Sequence, residues 1–158
     1  MAAFKYLLGF QGFMAINTGT YAVATWAEVD TVGNMSLVVE GTEADVSMRR
    51  SKGWKSTIVS LMNSPMEIES VYEQGNANQE KIRDAFFDRT TLDILILDGP
   101  LVAPVGGTAS QGRRAIYSVT KWSLTQEIEG AQKMLFSIAN APHAVGEEPK
   151  DFTGTVGT

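Results

Sequence analysis

Along much of the chain, apolar and polar side chains alternate at every residue in short stretches, separated by clusters of Gly, Pro, Asn and Asp. A period of two puts successive side chains on opposite faces of a β-strand. Residues 66–73 show it most clearly: Met66, Ile68 and Tyr72 face one way, and Glu67, Glu69 and Glu73 the other. That predicts a half-buried strand with an acidic outer face. Residues 20–29 are rich in β-formers (Tyr21, Val23, Thr25, Trp26, Val29), and residues 35–40 align Met35, Leu37 and Val39. Residues 54–61 set Trp54, Ile58 and Ser60 against Thr57, Val59 and Leu61. Residues 92–97 are a near-continuous apolar run ending at the turn signal Asp98-Gly99-Pro100. Such a run suits a strand covered on both faces. Residues 115–124 and 133–139, joined by a turn around Glu129-Gly130, complete the set.

Residues 76–91 break this pattern. Asn76 with Gln79 three residues on resembles a capping box, and Ile82, Ala85, Phe86 and Arg89 follow on one helical face. Glu80, Lys81, Arg83, Asp84 and Asp88 lie mostly on the solvent side, and Phe87 stands beside the apolar stripe as core edge or partner contact. The prediction is a mainly β domain: a β-sandwich or partly closed barrel of about seven antiparallel strands with one flanking helix. Residues 18–142 form the domain, residues 1–17 an N-terminal arm and residues 143–158 a C-terminal arm. Open sheets have edges whose unpaired backbone groups invite another chain.

Composition narrows the function. The 158 residues suffice for one domain that buries roughly 70% of its unfolded surface. The chain has no cysteine, which excludes disulfides and thiolate metal sites, and its formal charge of −5 disfavours general nucleic-acid binding. No stretch approaches the ~20 apolar residues of a membrane span. Residues 1–16 lack the unbroken apolar region of a signal peptide and are read as a mobile or docking arm.

Catalytic chemistry finds no support. The single histidine, His143, has no partners at the spacing a zinc site or triad needs. Residues 107–114 (Gly-Thr-Ala-Ser-Gln-Gly-Arg-Arg) have the two-glycine spacing of a phosphate loop. Arg113 and Arg114 replace the required Lys and Ser/Thr, and a strand follows instead of a helix. The segment is read as a mobile loop. Glu67, Glu69 and Glu73 lie on the polar side of their strand, and without burial nothing separates their pKa values for acid/base work. No catalytic, cofactor or metal residue is assigned. The informative stretch opens acidic (Glu40, Glu43, Asp45) and turns basic (Arg49, Arg50, Lys52, Lys55) around Gly53-Trp54. Such a charge run reads equally as a solvated loop or, since opposite charge blocks with a Trp and arginines suit it, as a surface that registers two copies of one chain.

Read in order, Thr25-Trp26-Ala27-Glu28-Val29, then Asp45-Val46, Arg49-Arg50 and Gly53-Trp54-Lys55 are followed by the Glu-alternating strand. Ile82-Arg83-Asp84-Ala85-Phe86-Phe87, Leu97-Asp98-Gly99, the strand pair at residues 116–123 and 132–139, and Ala141-Pro142 come next. This ordered set resembles the tail tube (major tail) proteins of long-tailed phages and phage-derived particles over roughly residues 15–142. The resemblance implies a non-enzymatic subunit, made in the bacterial host cytoplasm, that forms hexameric rings stacked into a hollow virion tail. DNA would leave through the lumen without specific binding. Tape-measure, tail-terminator and baseplate or distal tail proteins are the implied partners, with no cofactor and no membrane. The loop at residues 41–55 would reach the adjacent ring through Glu43, Asp45, Arg49, Arg50, Lys52, Trp54 and Lys55. Glu67, Glu69 and Glu73 would form a lumen or outer acidic face. Ile82, Ala85 and Phe86 would pack the helix on the sheet, and the terminal arms would add contacts between rings. Two rivals are the inner tube of a contractile tail or bacterial secretion system, which requires a sheath, and a monomeric β-sandwich ligand-binding module.

Overall fold

The computed structural model describes residues 12–158. In chain order its strands are β1 (Phe13–Asn17), β2 (Trp26–Glu28), β3 (Val32–Met35), β4 (Glu40–Asp45), β5 (Thr57–Asn63), β6 (Met66–Val71), β7 (Thr91–Leu97), β8 (Val102–Ala103), β9 (Gln111–Thr125), β10 (Lys133–Asn140), β11 (Lys150–Thr153) and β12 (Thr155–Val156). A helix, α1 (Ala77–Phe87), lies between β6 and β7. The main sheet is antiparallel in the order β2-β1-β7-β9-β10-β6-β3, with β11 added beside the start of β9. Strands β4 and β5 form a separate hairpin, and β12 pairs in parallel with β8.

The two end strands of this path, β2 and β3, are neighbours in the chain, joined by residues 29–31. The sheet must therefore curl until its edges approach. Val29 N donates to Met14 O (2.8 Å) and Val71 N to Thr31 O (3.0 Å), which ties the corner to both sides. The curled antiparallel sheet is not closed into a barrel and is consistent with the expected β-sandwich.

The concave face holds the main core, built from Met14, Ile16, Ile68, Ile94, Tyr117 and Phe136 with Ile82 and Ala85 of α1. On the opposite face, Phe13, Ala15, Leu95 and Leu97 form a smaller core capped by Trp26, Leu101 and Phe152. Strands β1 and β7 are thus covered on both sides, which explains why Ile94, Leu95, Ile96 and Leu97 of β7 are apolar at every position. Each large apolar side chain so buried contributes about 1.5–3 kcal/mol. Gly112 of β9 passes so close to β7 that a Cβ would collide with Ile96 O.

Strand β9 carries a β-bulge: Ser137 faces Lys121 while Ile138 faces Val119, leaving Thr120 unpaired. The extra residue resets the alternation. Tyr117 and Val119 point inward before it, and Trp122 packs against the same core after it. An uninterrupted period of two would have turned Lys121 inward instead.

At the start of α1, Asn76 Oδ1 accepts from Asn78 N (3.1 Å) and Gln79 N (3.3 Å). The return half of the capping box is absent. Gln79 is buried; its Oε1 accepts from Glu73 N (2.9 Å), and its Nε2 donates to Val71 O (2.6 Å) and Thr31 Oγ1 (2.8 Å). The helix ends at Phe87, short of residue 91, because Arg89 turns left-handed (φ 57°) and leaves the packed face.

Other expectations shift. Of residues 20–29 only Trp26–Glu28 is strand; the rest loops over Asn17, whose Oδ1 accepts from Gly19 N (2.8 Å) and Thr25 N (2.9 Å). Residues 35–40 are not one strand, since β3 stops at Met35 and β4 starts at Glu40. The sheet also takes in residues assigned to the arms. Phe13–Asn17 is a central strand, and Lys150–Thr153 and Thr155–Val156 fold back on the domain. The remaining N-terminal arm, residues 1–11, lies outside the described residues.

Candidate functional site: a projecting hairpin and an open sheet face

Strands β4 and β5 are exposed along nearly their whole length and make no ladder with the main sheet. Their register pairs Glu43 with Val59 and Asp45 with Thr57, with a bulge after Thr42. By that register β5 puts Ile58 and Leu61 on one face and Val59 and Met62 on the other. Leu61 is 71% and Met62 70% exposed. The strand expected at residues 54–61 thus begins only at Thr57, and its bulge puts Ile58 with Leu61 where strict alternation had set them on opposite faces. A lone two-stranded hairpin is marginal in water, and apolar side chains on both faces mark a surface made to be covered.

The hairpin tip is a compact turn. Asp45 Oδ1 accepts from Ser47 N (2.8 Å), and hydrogen bonds from Ser47 hold the Asp45 carboxyl below the usual carboxylate range. A 3-10 turn spans Arg49–Ser51, and the consecutive left-handed residues Lys52 (φ 49°) and Gly53 (φ 85°) reverse the chain. Trp54 follows at 80% exposure. The seven residues singled out between positions 43 and 55 (Glu43, Asp45, Arg49, Arg50, Lys52, Trp54 and Lys55) are therefore gathered on one projecting element, all exposed.

The outer faces of β6, β10 and the second half of β9 form an open sheet surface. Glu67 and Glu69 stand on it, each near a lysine: Lys121 Nζ to Glu67 Oε1 is 3.8 Å, and Lys133 Nζ to Glu69 Oε1 is 3.4 Å. Exposed pairs of this kind are worth about 0.2–1 kcal/mol, so they pattern charge more than they stabilise. The face is thus mixed and not uniformly acidic. Glu73 is not on it: it lies past the end of β6, and its Oε2 accepts from Asn76 Nδ2 (2.9 Å) at the helix start. Ile82 and Ala85 are buried in the main core with Phe86 packed against it, on the sheet face away from Glu67 and Glu69. Phe87 is 63% exposed and contacts the Phe86 and Trp122 rings, at 5.2 and 6.0 Å between centroids.

Residues 107–114 divide into a short loop and the start of β9. Arg113 Nη1 meets Asp151 Oδ1 at 3.2 Å. Arg114 is buried against Asp93, with Nη2 to Oδ2 at 2.6 Å and Nε to Oδ1 at 3.1 Å. Its Nη2 also donates to Tyr21 O (2.8 Å), and its guanidinium lies 3.8 Å from the Tyr21 ring centroid. Both arginines are thus tied into the fold. The sequence reading missed this pair; the available signal was an acid at position 93 inside an otherwise apolar strand. Among the described residues no group of three or more His, Cys, Asp or Glu could hold a metal ion, and no helix is long and apolar enough to cross a membrane.

The fold recurs in assembled tails. The chain is similar to a protein in the tail of an empty gene transfer agent particle with C6 symmetry (12% identity, TM-score 0.67, covering 87% of this chain and 96% of that one). It is also similar to the SPP1 tail tube protein (11% identity, TM-score 0.71, 95% and 81%) and to a chain of the anti-feeding prophage baseplate (4% identity, TM-score 0.59, 95% and 97%). No curated protein matches. A family model described as phage tail tube protein matches residues 12–141, so the chain belongs to the phage tail tube protein family.

Proposed function

We propose that this chain, a structural tail subunit, closes into hexameric rings that stack into a hollow tube, with the β4–β5 hairpin docking on the next ring. The hairpin carries this reading: it exposes apolar residues on both faces and adds none to either core. The C6 symmetry of the gene transfer agent tail supports the ring number. A head-to-tail interface closes into rings or continues as a filament, and a stacked tube uses both.

The open face of β6, β9 and β10 lines the lumen in this arrangement, with α1 on the far side of the sheet. Lys121 and Lys133 are engaged by Glu67 and Glu69. Affinity for DNA comes from cations that neutralise phosphate, so paired lysines let a genome slide without sticking. The tube ends would meet tape-measure, terminator and distal tail proteins. The likeness to an anti-feeding prophage baseplate chain favours one second reading, the inner tube of a contractile tail, which predicts binding to a sheath protein.

Negative-stain electron microscopy of the concentrated protein tests the main reading. Rings or hollow tubes are expected for the unaltered chain. Trp54→Ala, or reversal of Arg49 and Arg50 to Glu, should leave folded subunits that no longer stack. A chain that stays monomeric even with its tail-tip proteins co-expressed would overturn the proposal.

A further inference from the structure

The hairpin needs a receptor, and the far end of the same subunit offers one. Strand β6 starts at Met66, next to the hairpin root at Asn63, and runs away to Val71, a span of about 20 Å. At that far end a groove of about 200 Å³ opens between α1 and the β9–β10 end of the sheet. Tyr72, Trp122, Leu124 and Met134 supply its apolar lining, and Glu73 and Glu80 its acids. Arg83 also lines it, but its guanidinium is bound to Asp84 (3.1 Å). The Trp122 Nε1–H is buried with no acceptor among the described residues, a cost that an incoming carbonyl would relieve.

Around the groove the acidic character continues. Tyr72 N donates to Gln132 O (2.8 Å), which brings the β9–β10 turn with exposed Glu127 and Glu129 alongside. The hairpin tip has the complementary make-up: an exposed Trp54 among Arg49, Arg50, Lys52 and Lys55. Because the hairpin springs from the opposite end of β6 to the groove, one copy's tip meeting another copy's groove gives an unlimited head-to-tail series.

We propose that this groove is the receptor for the hairpin tip of a second copy. Trp54 enters against Trp122 and Leu124, and the basic residues face Glu73, Glu80 and Glu127. This rests on the reading that the hairpin docks between rings, and it assigns the surface on which it lands. The charge patches fix polarity and register, since like ends repel.

The absence of cysteine permits a direct test. With Lys55→Cys and Glu127→Cys in one chain, mild oxidation of assembled tubes should give a ladder of disulfide-linked multimers, because each subunit links to the next. Either single variant lacks a cysteine across this interface and should stay monomeric, with dimers as the upper limit. Tubes intact by microscopy but without a ladder beyond dimers would overturn the receptor assignment.

Charge reversal gives an independent arm. Arg49→Glu/Arg50→Glu and Glu80→Arg/Glu127→Arg should each abolish stacking, and the chain carrying all four changes should regain tubes. Circular dichroism confirms that each variant is folded. If the tip reversal breaks stacking and the Glu80/Glu127 reversal does not, the groove is the wrong receptor and the hairpin reading stands. If the tip reversal has no effect, both fail.

Discussion

Arg114 and Asp93 show what single residues do in this fold. Their side chains are only 8% and 10% exposed, yet both carry charge, and Asn17 Nδ2 adds a hydrogen bond to Asp93 (2.9 Å). A buried pair is a weak source of net stability, but removing one partner strands the other. Arg114→Ala is therefore expected to destabilise the subunit by about 3–5 kcal/mol in urea unfolding, whereas Arg114→Met with Asp93→Leu should cost much less. The pair was hidden in the sequence for a geometric reason. Position 93 lies within an apolar run and position 114 at the end of a Gly-rich stretch. Only the β7–β9 register, which sets Leu95 opposite Arg114 and Ile94 opposite Ala115, puts Arg114 on the same sheet face as Asp93. Ile82 and Ala85 were legible because helical spacing alone selects them.

At the scale of elements, periodicity identified strands better than it placed them. Strands β6, β7 and β10 lie where alternation or an apolar run predicted them, because their partners sit on fixed faces. Strand β5 is apolar at both sequence parities (Ile58 and Met62, Val59 and Leu61), a pattern that identifies no single buried face. In β9 the Thr120 bulge breaks the count halfway, which sequence period cannot register. The bulge makes a contrasting prediction. Deleting Thr120 joins two stretches already in the correct phase, so the thermal midpoint should move by no more than about 2–4 °C, the equivalent of ~1 kcal/mol in a chain of this length. Deleting Ser118 instead turns Val119 outward, at a cost of roughly 1.5–3 kcal/mol. Thermal melts followed by Trp fluorescence distinguish the two.

For the whole molecule, the curl of the sheet was not legible, because it follows from β2 and β3 occupying opposite ends of a seven-strand path. The same topology makes the hairpin separable. Glu40 and Asn63 face each other at its root, so the ends to be rejoined are already close. Replacing residues 40–63 with a short Gly-Ser link should leave the melting temperature within a few degrees while abolishing tubes in the microscope; an unfolded product would show that the hairpin supports the fold after all. Strand β9 sets the mechanics of what remains. Its 15 residues extend for about 50 Å and are flanked by β7, β10 and β11 in turn. Antiparallel ladder bonds run perpendicular to the strands. A subunit stretched along β9 thus bears load in shear across many rungs at once, where a sheet pulled crosswise would unzip them one after another.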